Sequence, residues 1–154
     1  VSAPGIENVE AAIASRLAEI QMSNGYRCDV AQVYRVPLNA DQPPEGNNLV
    51  ILAAQDGIKF EADDSSAYRL SDRFVIGGIV NMGQADLMQP DRVQRTNWLL
   101  QDVLDALLED QTFGFATNFG MVLEAGDRGV DSDRALGYFT LTLRVFYHFV
   151  RRSM

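Results

Sequence analysis

The chain has 154 residues, 47% of them apolar, with 13 basic and 21 acidic side chains and a net charge of −8. That length suits a single domain over residues 1–154 with a real core, and the acidity argues against nonspecific capture of nucleic acid or anionic membrane, which needs clustered positive charge. The lone cysteine, Cys28, excludes an intramolecular disulfide and with it the small secreted scaffold.

Residues 6–23, IENVEAAIASRLAEIQMS, place Ile6, Val9, Ile13, Leu17 and Ile20 at steps of three and four. This is one apolar face of a helix, and Asn24-Gly25 supplies a left-handed stop. YRCDVAQVYRVP follows. Its Cys28, Val30, Tyr34 and Val36 alternate and Val33 is off phase, which predicts a strand, bulged, ended by Pro37. Cys28 in that pattern reads as a packed core residue. LNADQPPEGNN is a loop longer than an ordinary hairpin turn, with room for contacts at Asp41 and Glu45. LVILAAQ is a short apolar strand, and DGIKFEADDSS a turn, a brief strand and an acidic loop around Glu61, Asp63 and Asp64. AYRLSDRFVIGGIVNM is a strand in which Gly77-Gly78 marks a bend or close approach.

Residues 90–110 form the second predicted helix, opened by Pro90 and Asp91. Its expected buried stripe is Val93, Leu100, Val103, Leu104 and Leu107, with Trp98 or Leu99 at the margin. Asp102, Asp105 and Glu109 fall opposite that stripe and read as solvated or paired with a neighbouring subunit. TFGFATNFGMVLEA and the closing segment then flank GDRGVDSDR, a long hairpin with a charged tip at Asp127, Arg128, Asp131 and Arg134. The order of elements gives an α+β fold: a mostly antiparallel sheet, two helices packed on it and a long C-terminal β-hairpin.

No catalytic constellation emerges. His148 is the only histidine, and no G-x-S-x-G elbow or cysteine-protease signature accompanies it. One His and one Cys leave a zinc site short of ligands. DRGVDSD lacks the EF-hand spacing and its terminal Glu, and no phosphate loop is present. No catalytic, metal or cofactor residue is assigned. The opening VSAPGIENVE has no signal-peptide pattern, and the longest uncharged run, QTFGFATNFGMVL, is too short to span a bilayer as a helix. A soluble protein with no membrane partner is expected. Twelve of the thirteen bases are arginine, which suits bidentate pairing at interfaces; GC-rich codon usage explains the same bias equally well.

The closing strand sorts by parity. Phe139, Leu141, Leu143, Val145, Tyr147 and Phe149 face one way, an apolar side that must be covered. Tyr138, Thr140, Thr142, Arg144, Phe146 and His148 face the other, a mixed side suited to an interface. Twelve alternating residues extend roughly 40 Å, beyond the edge of a single small domain. Such a strand calls for a partner, either its own hairpin mate or another subunit.

Taken together, IENVEAAIASRLAEI, NGYRCDVAQVYRVP with its polar loop, LVILAA, LLQDVLDALLED with its Asp-Val and Ala-Leu, and GDRGVDSDRALGYFTLTLRVFYHF with its near-terminal Tyr147 form a layout. In order and spacing it resembles the tail-terminator (tail-completion, head–tail joining) family of long-tailed bacteriophages over almost the whole chain. QADLMQP and EADDSS have no counterpart in it. The resemblance implies a structural virion protein at the neck, assembled in the bacterial cytoplasm and without enzymatic activity. Its ring, usually a hexamer, caps the tail tube, stops its polymerisation and joins tail to head, and DNA passes through the lumen without specific binding. The implied partners are further copies of the chain, the major tail-tube protein and a head-completion protein. Another neck component, such as a stopper, is the alternative, followed by a small-ligand-binding or enzymatic α+β domain. The interface candidates are Asp41, Glu45, Asp127, Arg128, Asp131, Arg134, Arg144, His148, Arg151 and Arg152; opposite charges on different patches of one chain can meet across a ring contact.

Overall fold

A computed structural model describes residues 6–35, 48–55, 58–62, 67–81, 90–109, 120–131 and 136–150. The elements run α1 (Ile6–Ala18), a 3-10 turn (Met22–Asn24), β1 (Gln32–Tyr34), β2 (Leu49–Ala54), β3 (Lys59–Ala62), β4 (Ala67–Asn81), α2 (Pro90–Glu109), β5 (Met121–Asp131) and β6 (Leu136–Val150). The fold is α+β, as expected: two helices and a sheet in the order β1-β2-β4-β6-β5. All pairings are antiparallel except β1 with β2. β2 and β3 share one edge of β4, pairing with residues 74–79 and 68–71 in turn.

β4 and β6 are the spine. Each is 15 residues long and they pair from Ala67↔Val150 to Asn81↔Leu136. The partner that the long closing strand calls for is therefore β4, within the same chain. Parity holds on both strands. Leu70, Phe74, Ile76 and Val80 of β4 and Phe139, Leu141, Leu143, Val145 and Tyr147 of β6 are buried and share one face by register. The helices cover that face with Val9, Ile13 and Leu17 of α1 and Leu99, Val103, Ala106 and Leu107 of α2. At about 25 cal/mol per Å² of apolar surface, this shared layer is the main source of stability.

Several expectations change. The first helix ends at Ala18, not Ser23. Ile6 is exposed, and Gly25, at φ 91°, closes the 3-10 turn instead. The stretch after Gly25 is not a strand until Gln32, although Cys28 and Val30 are buried. Its alternation reports burial, but its backbone donors go elsewhere: those of Arg27 and Cys28 to the Asp102 carboxylate, that of Val30 to the Ile20 carbonyl at 2.9 Å. In α2 the core stripe is rotated. Arg92, Thr96, Leu99, Asp102, Val103, Ala106 and Leu107 are buried, while Val93 and Trp98 are exposed. Gly137 of β6 sets this rotation by letting the helix approach. A Cβ there would lie 1.8 Å from Thr96 Oγ1 and 3.3 Å from the Arg92 carbonyl.

The hairpin differs in one respect. GDRGVD continues β5 instead of forming the tip, so Asp127 and Arg128 are strand residues. A register shift between Leu123 and Ala125 leaves Glu124 as the extra residue of a bulge.

Candidate interaction surface

The sheet face away from the helices carries the mixed side of β6. Arg73 and Arg144 stand directly opposite each other on it, an arrangement that is repulsive on its own. The bulge aims Glu124 between them. Its Oε1 and Oε2 accept from Arg73 Nε and Nη2 at 2.9 and 3.2 Å, and Oε1 lies 3.6 Å from Arg144 Nε. Arg144 Nη1 also donates to Ser71 Oγ. The Arg73 hydrogen bonds hold the Glu124 carboxyl below its ordinary value, with Arg144 adding to the effect. Its stabilising contribution is therefore present above the unfolded carboxylate pKa and is lost as pH falls through the lower folded value. Glu124→Gln is expected to lower the melting temperature by a few degrees at neutral pH and low salt. The gap should narrow in 1 M salt, where the Debye length is about 3 Å; a gap that ignores both pH and salt would contradict the bridging role.

The other interface candidates are spread along the hairpin and beyond it. Asp127 and Arg128 take opposite faces of β5, opposite Thr140 and Phe139 in turn. Asp127 Oδ1 accepts the Arg128 N–H at 2.8 Å, and Arg128 Nη1 donates to Asn97 Oδ1 of α2 at 2.6 Å. Asp131 ends β5 opposite Leu136. His148 lies opposite Arg69, four residues along from Arg144 and on the same parity. Asp41, Glu45, Arg134, Arg151 and Arg152 lie outside the described residues. The structure thus places Arg144 in a tight charge cluster, while Asp127 and Arg128 sit apart from it near the hairpin end. Val122, Val130 and Tyr138 add exposed apolar surface to that hairpin.

Two buried carboxylates escaped the sequence reading. Asp102 is fully buried, not solvated. It accepts the Arg27 N–H at 3.0 Å and the Cys28 N–H at 2.8 Å on Oδ2, and Arg27 Nη1 reaches Oδ1 at 3.3 Å. Its neighbours on the helix, Asp105 and Glu109, pair within the chain: Asp105 with Arg27 at 3.3 Å, Glu109 with Arg16 at 3.5 Å. Burial, reinforced by Asp102, pushes the Cys28 thiol up to about 11. The thiol is therefore protonated at neutral pH, the state of a packed residue and not of a nucleophile.

The second group is Asp72, buried on the helix side of β4 beside the Tyr147 hydroxyl. Neither Asp72 Oδ1 nor that hydroxyl completes a well-formed hydrogen bond. Burial raises the Asp72 carboxyl above the ordinary 3.8, the Arg73 N–H opposes this, and Glu10 of α1 adds to it. Burial also raises the Tyr147 hydroxyl, with Asp72 second. A carboxyl raised in the fold stabilises fully below its unfolded pKa and loses that contribution as pH rises through the folded value. Asp72→Asn should therefore gain on the wild type from pH 4 to pH 7 in denaturant melts; a difference independent of pH would contradict this.

Among the described residues, no group of three or more His, Cys, Asp or Glu is placed to hold a metal ion. Nor is any helix among them long and apolar enough to cross a membrane.

No family model and no curated protein sequence matches the chain. Among solved structures, the chain is similar to one from the "Virion of native gene transfer agent (GTA) particle", with a TM-score of 0.48 and 12% identity over 92% of this chain and 95% of that one.

Proposed function

We propose that this protein is a structural virion component whose copies form a ring, usually of about six in a closed cyclic assembly. The ring caps the tail tube, stops its polymerisation and joins the tail to the head. The observation that carries this reading is the β5–β6 hairpin. β5 is an 11-residue edge strand, and Val122, Val130 and Tyr138 stand exposed along the hairpin. An edge of this length with apolar side chains calls for a neighbour. The order and spacing of the elements, which resemble the tail-terminator layout, supply the identity of the assembly. The tube subunit and a head-completion protein are its partners above and below. The net charge of −8 suits a lumen that repels DNA and lets it slide through.

Native mass spectrometry of the full chain should give one discrete oligomer. Electron microscopy of particles lacking the protein gives the functional answer. Overlong tails without heads are expected; tails of normal length without heads would move the protein to another position in the neck, and normal joined virions would overturn the reading.

A further inference from the structure

We propose that the helix-free face of the sheet, where β3, β4 and the end of β6 meet, docks an acidic segment of another protein, one carboxylate seated against Lys59, Arg69 and the Ser71 hydroxyl. This goes beyond the ring reading and stands without it.

The strand register builds the site. Residues paired directly across strands share a face, so Lys59, Ser71 and Phe146 form one row across β3, β4 and β6. Arg69 flanks that row on one side, with Glu61 opposite it, and Arg73 and Arg144 flank it on the other. Lys59, Phe60, Arg69, Ser71 and Phe146 line a hollow of about 360 Å³ there.

Charge on this patch runs against that of the chain. The protein carries −8 overall, whereas here Lys59, Arg69, Arg73 and Arg144 stand against Glu61 and Glu124. Lys59 is exposed and has a hydroxyl, not a carboxylate, opposite it. Arg144, its side chain 12% exposed, has only a share of Glu124 at 3.6 Å to offset its charge. A guanidinium so shielded calls for more counter-charge than that. It also sets the hydroxyl. Arg144 Nη1 donates to Ser71 Oγ, which leaves the Ser71 proton to be given to an acceptor in the hollow.

These groups identify the occupant. Cations around a hydroxyl donor take an oxyanion, and the half-buried Phe146 ring takes an apolar neighbour of that anion. An Asp or Glu beside an apolar residue supplies both. Duplex nucleic acid fits worse. Its phosphates, about one charge per 1.7 Å, would bring a long polyanion against the net charge of −8, and its stacked bases leave the phenyl wall unused. A second copy of the chain also fits worse, because its acids are already paired: Glu7 with Arg35, Glu19 and Glu109 with Arg16, Asp105 with Arg27.

Fluorescence anisotropy with the full chain tests this. The probes are a labelled Glu-Glu-Phe-Glu-Glu amide, the same peptide with Lys in place of Glu, and a DNA duplex of about 12 base pairs. Only the acidic peptide should bind. Lys59→Glu should weaken it about tenfold or more, Ser71→Ala several-fold, and a rise in salt from about 0.05 to 0.5 M should weaken it as well. Arg95→Glu makes the same charge change on an exposed position of α2 and should leave binding within about twofold of wild type. Thermal melts check that each variant is folded, and Ser71→Ala carries the test if Lys59→Glu is not. No binding of the acidic peptide, equal binding of the basic one, or equal losses in Lys59→Glu and Arg95→Glu would overturn the site. Tighter binding of the duplex would give the face to nucleic acid and overturn the proposal. So would a wild-type oligomer that falls apart in Lys59→Glu, since a second copy would then occupy the face. A monomeric wild type that binds the acidic peptide would uphold the site while overturning the ring.

Discussion

Asp102→Ala is expected to cost about 2–4 kcal/mol of stability, the penalty for orphaning two shielded backbone donors. In a chain of this size that lowers the melting temperature by about 5–15 °C. The Arg27 and Cys28 N–H groups have no strand neighbour to turn to, since Gln32 is the first ladder residue of β1. The Arg27 guanidinium is less of a concern, because it is half exposed and retains Asp105 at 3.3 Å. Asp102→Asn should fall between wild type and Ala: one amide oxygen can still accept both N–H groups, but its NH₂ meets the Arg27 guanidinium. Cys28 provides an independent readout. Its thiol, raised to about 11 by burial and Asp102, should resist thiol reagents at pH 8 in the wild type. In Asp102→Ala it should label several-fold faster as the turn loosens. Equal melting and equal labelling in all three proteins would mean that the turn at residues 26–30 is held by something other than this carboxylate.

The contrast between Asp102 and the closing strand shows which features a sequence makes legible. β6 could be read residue by residue, because strand parity is a period-two signal, and burial alternates from Leu70 to Val80 on β4 and from Phe139 to Tyr147 on β6. The α+β class followed from the same patterns. α2 was legible as a helix but not in its phase. A hydropathy stripe assumes that polar residues face water, and here Arg92, Thr96 and Asp102 face inward while Val93 and Trp98 face out. A carboxylate on a helix looks solvated until a distant segment brings unpaired N–H groups to it, and that segment lies 74 residues away in the chain. The hairpin was misjudged for a related reason. GDRGVD has the composition of a turn, yet its glycines tolerate strand geometry beneath neighbouring side chains, as Gly129 does under the Tyr138 ring. Of the interface candidates, Arg144 was the most legible, because parity alone sets its face. Its partner Glu124 was hidden by a bulge that shifts the register of β5.

Gly77→Ala and Gly78→Ala, neighbours in the middle of β4, should differ by about 3–5 kcal/mol, on the scale of losing a buried aromatic contact. Gly77 faces the helix-free side. A Cβ there would meet the Phe139 carbonyl at 3.8 Å and Ile51 Cβ at 3.9 Å, which is ordinary contact. Gly77→Ala should thus stay within about 0.5 kcal/mol of wild type or exceed it, since alanine also lowers the entropy of the unfolded chain. Gly78 faces the core directly opposite Phe139. The Phe139 ring lies across it, so a Cβ would sit 1.9 Å from Cε2 and 2.3 Å from Cζ. Phe139 is 1% exposed and packed in the main cluster, and the ring cannot swing away without opening that cluster or leaving its rotamer. The glycine and the phenylalanine therefore act as one unit: the missing side chain on β4 makes the space that the ring on β6 fills. A double-mutant cycle measures this directly. Phe139→Ala alone should cost about 3–5 kcal/mol. The double variant should cost less than the sum of the singles by more than about 1 kcal/mol, because the new methyl group then fills part of the cavity. Additive costs would show that the ring and the glycine are independent, and that the close approach at Gly78 is relieved elsewhere in the core.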